Sequence, residues 1–186
     1  MPQNLKPVTI ISLVNGFALL GLTGAEYIGI LSFEMPLSYA WHKLLHVSGV
    51  IMCVGNMIAG PVWFSYAYYS KDVKLLKFAG KLLQLTDLWI TIPGMTITVI
   101  NGLYLSSVYG GTKNQSWLYY SILLLILMWI ITLPLIYLQE KMYRLIDENP
   151  VDQKKIDKHI IVWSITGVAV MIPVCIIFYL MVFKTV

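Results

Sequence analysis

Long apolar runs, broken by short charged segments, set the pattern of this chain. From Val47 to Tyr69 there is no formal charge. A run of that length crosses a bilayer, because ~20 apolar residues rising ~1.5 Å each cover the ~30 Å hydrocarbon core. Four other runs are long and mainly apolar, with Glu26, Lys77, Lys81 and Asp87 as the charges within them, and the pattern predicts spans over 8–30, 39–69, 75–108, 117–138 and 159–183. All should be helical, since an open strand leaves its backbone groups unsatisfied in lipid. The expected fold class is all-α: a polytopic membrane helix bundle of about five transmembrane helices, forming a single integral membrane domain over residues 1–186. The first run lacks a well-marked small-residue cleavage site and reads as a retained span.

Polar and small positions inside the spans follow a helical period. His42, His46, Gly49, Cys53, Asn56 and Gly60 succeed one another at steps of three or four, so they share one stripe of the second span. Gln84, Asp87, Gly94, Thr98 and Asn101 form the equivalent stripe of the third. The centre of the fourth is almost purely Leu, Ile and Trp and is expected to face lipid. Pro61 and Pro173 each remove a backbone donor within a span, where a helix kinks.

Composition supports the membrane reading. The chain is 58% hydrophobic and 12% charged, with a mean hydropathy of +0.75, whereas soluble domains carry roughly 25% charged residues. The net charge of +4 comes from lysines placed between apolar runs, so it marks topology and not a nucleic-acid partner. The segment 70–81 holds Lys71, Lys74, Lys77 and Lys81 against Asp72, and the segment 140–158, read as a loop around Asn149-Pro150, holds five basic and five acidic residues. Both are expected to be cytoplasmic, with the N-terminus inside and the C-terminus outside, although Lys184 weakly opposes this. The expected location is the cell (inner) membrane, with the lipid bilayer as the first partner. Cys53 and Cys175 both lie in apolar runs and read as small core residues. No nucleophile motif, phosphate loop or soluble dinucleotide motif is present, which argues against a hydrolase or an ATP-driven machine.

This topology places Glu26, His42, His46, Asn101 and Tyr104 in the outer half of the membrane, and Asn15 and Asp87 in the inner half. His159 falls at the inner surface, roughly 20 Å or more from His46 across a ~30 Å core, so the two cannot share one metal or haem iron. An ionisable group within a span is a functional candidate. Glu26, His42 and His46 are therefore candidate metal ligands, for zinc or copper, and His46, Glu26 and Asn101 are candidate cofactor contacts. The competing reading makes the same groups polar contacts between helices, worth ~0.6–2 kcal/mol each, with no cofactor. Asp87 reads as a packing residue bonded to the second-span stripe or to a lysine. Met52, Met57, Met95 and Met171 are soft donors that more often fill cores.

Trp41-x-Lys43-x-x-His46 opening a helix, followed by Gly55, resembles the first segment of the HemJ-type membrane protoporphyrinogen oxidases and of the CopD-type copper-resistance membrane domains. Asp87, Pro93-Gly94 and Gly102-Leu103, then Trp117-Leu118, resemble a neighbouring family of predicted integral membrane proteins of unassigned function. The resemblance covers about residues 40–145. It implies a four-helix membrane bundle with one added span and, from the HemJ-type proteins, haem b at the position of His46. Two features depart from those oxidases: Gly60-Pro61-Val62-Trp63-Phe64 replaces an Arg-Leu-rich stretch ending in His, and Ser121 stands where they have a lysine. The leading expectation is thus a haem b protein serving electron transport or another oxidoreductase step. The rival is a non-enzymatic metal or proton pathway, or an accessory subunit of a larger membrane complex. A homodimer across the glycine-bearing stripe of the second span is a further expectation.

Overall fold

The computed structural model describes residues 6–148 and 152–185. Every long element among them is a helix: α1 Lys6–Tyr27, α2 Tyr39–Tyr69, α3 Val73–Thr86, α4 Ile92–Ser106, α5 Ser116–Asp147 and α6 Gln153–Phe183. A single wide π-turn, Asp87–Thr91, joins α3 to α4, so the two make one span, Val73–Tyr109. Five helices are long and apolar enough to cross a membrane, as the hydrophobic pattern predicts.

The helices end where the local chemistry stops them. Asp72 caps α3 by accepting from the backbone N–H of Lys74 and Leu75. Asp152 does the same for α6 through the Lys155 N–H, and that hydrogen bond holds its carboxyl below the usual range. α2, α5 and α6 continue through Pro61, Pro134 and Pro173. The π-turn has a cause in Pro93. A pyrrolidine ring clashes with the carbonyl four residues back, and a wider turn opens that contact. The Ile92 N–H accordingly donates to the Asp87 carbonyl, five residues back.

One expectation is corrected here. Residues 140–158, read as a mixed-charge loop, are mostly helical: α5 runs on to Asp147 and α6 begins at Gln153. Asn149-Pro150 lies outside the described residues. Part of the charge pairs along the helix surface, Arg144 with Glu140 and Lys155 with Asp152, each pair about one turn apart. Met142, Leu145 and Ile146 of α5 and Ile156, Ile160 and Trp163 of α6 keep the helical period and meet Phe64 of α2 in a core at the lysine-rich end. His159 is half-buried on α6, with its Nδ1 at 2.8 Å from the Lys155 carbonyl.

Packing divides the bundle into an α2–α4 pair and an α5–α6 pair, with α1 against α4 and α5. The buried face of α2 is the predicted stripe, His42, Gly49, Cys53, Asn56 and Gly60, continued by Phe64 and Ala67. Outward faces remain apolar: Ile161, Ile165, Val168 and Ile172 of α6, for example, form an exposed stripe suited to lipid. On α5 the exposed positions Leu123, Ile126, Leu127 and Ile130 do the same, while Met128 and Trp129 turn inward. Cys175, expected inside, faces outward, whereas Cys53 is buried.

Candidate functional site

The two polar stripes face each other in antiparallel register. His42 meets Asn101, His46 meets Thr98, Gly49 and Cys53 meet Gly94, and Asn56 meets Asp87 and Thr91. The dimer surface expected on the α2 stripe is therefore already covered by α4 within the chain.

His42 is 2% exposed and its ring nitrogens are both engaged. The Asn101 amide donates to the Ile97 carbonyl at 2.8 Å, which turns its oxygen towards His42 Nδ1, also at 2.8 Å. Nδ1 therefore carries the proton, and Nε2 accepts from the Leu37 N–H at 3.4 Å. Tyr104 lies against the ring at 4.7 Å, and Phe33 packs edge-on to Tyr104 at 5.3 Å. The α1–α2 connection thus closes over His42.

Glu26 accepts from the backbone N–H of Thr112 at 3.0 Å and from the Thr112 hydroxyl. It ties the end of α1 to the turn before α5. Sequence reading places Glu26 at a suitable depth and misses this partner; the signal available is a threonine following the Gly110-Gly111 turn. Glu26→Ala leaves two donors without their acceptor, so we expect it to destabilise the protein by about 1–3 kcal/mol, with Glu26→Gln losing less. Thermal unfolding in detergent measures both.

His46 differs from its neighbours. It is half-buried, and its Nδ1 lies 2.7 Å from the Thr98 carbonyl. A carbonyl only accepts, so Nδ1 holds the proton and Nε2 keeps a lone pair. Gly102 makes room for the ring: a Cβ there would stand 3.2 Å from Cε1. The imidazole lines a cavity of about 330 Å³ between α2, α4, α5 and α6, walled by apolar side chains such as Val50, Leu125, Val174 and Phe178. The hydroxyls in its wall are committed elsewhere. Those of Thr23, Thr98, Ser106 and Ser121 donate to carbonyls of their own helices, and that of Thr112 to Glu26.

Glu26, His42 and Asn101 do not line this cavity; of the predicted cofactor contacts, His46 alone does. Nor do Glu26, His42 and His46 converge. Among the described residues no group of three His, Cys, Asp or Glu side chains is arranged to hold a metal ion. Met57, Met95, Met128 and Met181 line the His46 cavity, and the first two of these are among the soft donors expected from the sequence, with Met52 and Met171.

A second cavity of about 160 Å³ lies nearer the lysine-rich end; its wall is mostly apolar, with Asp87, Asn15, Gln84 and Gln139 among its polar groups. As expected of a packing residue, Asp87 is bonded to the α2 stripe through Asn56; it also accepts from Thr91 and, unforeseen, from Gln139 of α5. At the opposite end Lys184 donates to the Tyr109 hydroxyl at 2.8 Å and sits over the Tyr109 and Trp117 rings. That hydrogen bond raises its pKa and holds the end of α6 to the loops.

Five long apolar helices, lipid-suited outer faces and polar groups turned inward define an α-helical integral membrane protein. The chain belongs to the family described as predicted integral membrane protein (DUF2269), whose model matches residues 41–185. That match begins at Trp41, so α1 lies outside it. It agrees with the likeness seen in the third and fourth spans and does not extend to the HemJ- or CopD-type proteins. No curated protein and no solved structure matches the chain.

Proposed function

We propose that the protein binds haem b in the His46 cavity and serves a membrane redox or electron-transfer step. The observation that carries this reading is the state of His46. Its Nδ1–H is held by the Thr98 carbonyl, and its Nε2 lone pair belongs to a cavity whose neighbouring hydroxyls are already satisfied. A backbone carbonyl on the distal nitrogen is the usual support of a ligating imidazole, because it fixes the tautomer and ring plane.

The apolar lining suits the macrocycle of the group. A cavity of about 330 Å³ with apolar walls falls in the size range of small-molecule and cofactor sites, ~300–1,000 Å³. Imidazole and thioether are both ligands of haem iron, so His46 would hold the iron and Met57, Met95, Met128 and Met181 are the soft donors nearby. Haem supplies one-electron chemistry when bound. The protein's own part is to orient the imidazole, exclude water through the apolar wall and keep the ring neutral. The resemblance around Trp41-x-Lys43-x-x-His46 supports the same assignment.

The test is a reduced-minus-oxidised visible spectrum of detergent-purified protein, with iron quantified on the same sample. We expect a Soret band at stoichiometric iron, lost in His46→Ala and kept in His42→Ala, whose ring has no free nitrogen. A colourless, intact protein from haem-replete cells would overturn the reading. Bound zinc or copper in its place would transfer the site to a metal carrier.

A further inference from the structure

We propose that Asp87 is a proton-binding group, loaded and unloaded through the cavity beside it at the lysine-rich end of the bundle. This site does not depend on what the His46 cavity holds.

Asp87 sits where a carboxylate is hard to keep in a membrane protein, on the π-turn between α3 and α4. Such wide turns recur at functional sites, and an ionisable group inside a span is a functional candidate. Its oxygens face hydrogen-bond donors. Asn56 Nδ2 and Thr91 Oγ1 donate to Oδ1, both at 3.1 Å, and Gln139 Nε2 donates to Oδ2 at 2.6 Å. No Lys, Arg or His nitrogen lies within ion-pair distance of it among the described residues. The carboxylate is therefore solvated by neutral dipoles and lacks a neutralising charge.

A proton suits this surrounding better than a metal cation. A cation needs several anionic or lone-pair ligands converging on it, and among the described residues no group of three His, Cys, Asp or Glu side chains gathers around Asp87. The same cage also accepts the acid form. Gln139 is an amide, and a half-turn about its last side-chain bond exchanges donor for acceptor. Its oxygen then receives the O–H of a protonated Asp87. Both protonation states are satisfied with one side-chain rotation and no movement of helices.

The cavity provides access. Its volume of about 160 Å³ has room for several waters, since one needs ~10–15 Å³. Asn15, Gln84 and Gln139 line it with polar groups beside Asp87 and Glu140. The titratable and charged groups facing Asp87 are few. Cys53 comes from α2, and Tyr143 and Glu140 from α5; α1, α3, α4 and α6 contribute none among the described lining residues. Tyr143 is hydrogen-bonded to Gln139, and Glu140 is engaged by Thr9 and Arg144. Glu140 thus has a cationic partner in Arg144, and Asp87 has none among the described residues. On the other side Met57, Met95 and Met128 line both this cavity and that of His46. Three thioether side chains offer no relay for a proton, so uptake and release take place from the lysine-rich side alone.

Infrared difference spectroscopy of the protein in lipid, stepped in pH across the neutral range, tests this. We expect the carbonyl stretch of a protonated carboxylic acid to appear as pH falls and to shift in D₂O. It should also shift when aspartate is labelled with ¹³C at the side-chain carboxyl. It should be absent in Asp87→Asn and persist in Glu140→Gln. The labelling and D₂O arms use the unaltered protein and hold even where a variant fails to fold. A band insensitive to labelled aspartate, one that does not exchange in D₂O, or one retained in folded Asp87→Asn would each overturn the proposal.

Discussion

Gly94→Ala should unfold the protein well below the temperature of the unaltered chain, and Gly49→Ala should do the same. These two glycines form the crossing of α2 and α4. A Cβ on Gly49 would stand 2.6 Å from the Gly94 carbonyl oxygen and 2.8 Å from the Thr98 backbone nitrogen. A Cβ on Gly94 would stand 2.8 Å from the Cys53 nitrogen and 2.9 Å from the Gly49 oxygen. Most of the obstructing atoms are backbone, so no rotamer change relieves the clash and the helices must separate. Separation stretches the His42–Asn101, His46–Thr98 and Asn56–Asp87 contacts together, because all lie on the same pair of stripes. Overpacking of this sort costs about 1–3 kcal/mol per added methyl, and a Leu at either position should prevent folding. The two alanines act on one contact, so the double variant should lose less than the sum of the singles. A methyl group added at Gly55 or Gly167 would meet nothing within 4 Å, and alanine there should leave the unfolding temperature unchanged or slightly raised. Equal behaviour of Gly94→Ala and Gly55→Ala in detergent thermal unfolding would refute the close crossing.

The same stripes explain what a reader of the sequence can and cannot extract. Steps of three and four from His42 to Gly60 identify a buried face because a helix repeats every ~3.6 residues, and lipid rewards only apolar groups on the other faces. The stripe on α4 follows for the same reason, and its register with α2 needs only that consecutive helices run antiparallel. What fails is azimuth and reach. Depth along the membrane normal puts Glu26, His42, His46 and Asn101 in one layer, but depth does not say which way each side chain turns around the bundle. In the fold Glu26 turns to Thr112, His42 to Asn101, and only His46 to the cavity. Gln139 is invisible as a partner of Asp87 when the fourth span is ended at Leu138, where the charges begin. Charge density marks 140–158 as a loop, although Met142, Leu145 and Ile146 already keep a helical spacing within it.

That extension of α5 and α6 carries the second large effect: Phe64→Ala should destabilise the protein by about 3–5 kcal/mol, and Ile156→Ala by about 2–5 kcal/mol. Phe64, Met142 and Ile156 are fully buried, and Phe64 meets the Trp163 ring edge-on at 5.4 Å. Helices of 31 and 32 residues rise to roughly 47 Å, against a hydrocarbon core of ~30 Å, so the α5–α6 ends project past it. There the alternative to burial is water and not lipid, and truncation loses transfer energy as well as packing. Ile165→Ala gives the contrast. Ile165 is 66% exposed on the outward stripe of α6, where the bundle offers it few contacts, so its removal should change stability by less than about 0.5 kcal/mol. The comparison is made by thermal unfolding of the three variants in one detergent. If Phe64→Ala proves as mild as Ile165→Ala, the core at the lysine-rich end does not hold α2 to the α5–α6 pair. If Ile165→Ala is the severe one, the α6 stripe is packed against protein, and a second chain must cover the face that the fold leaves to lipid.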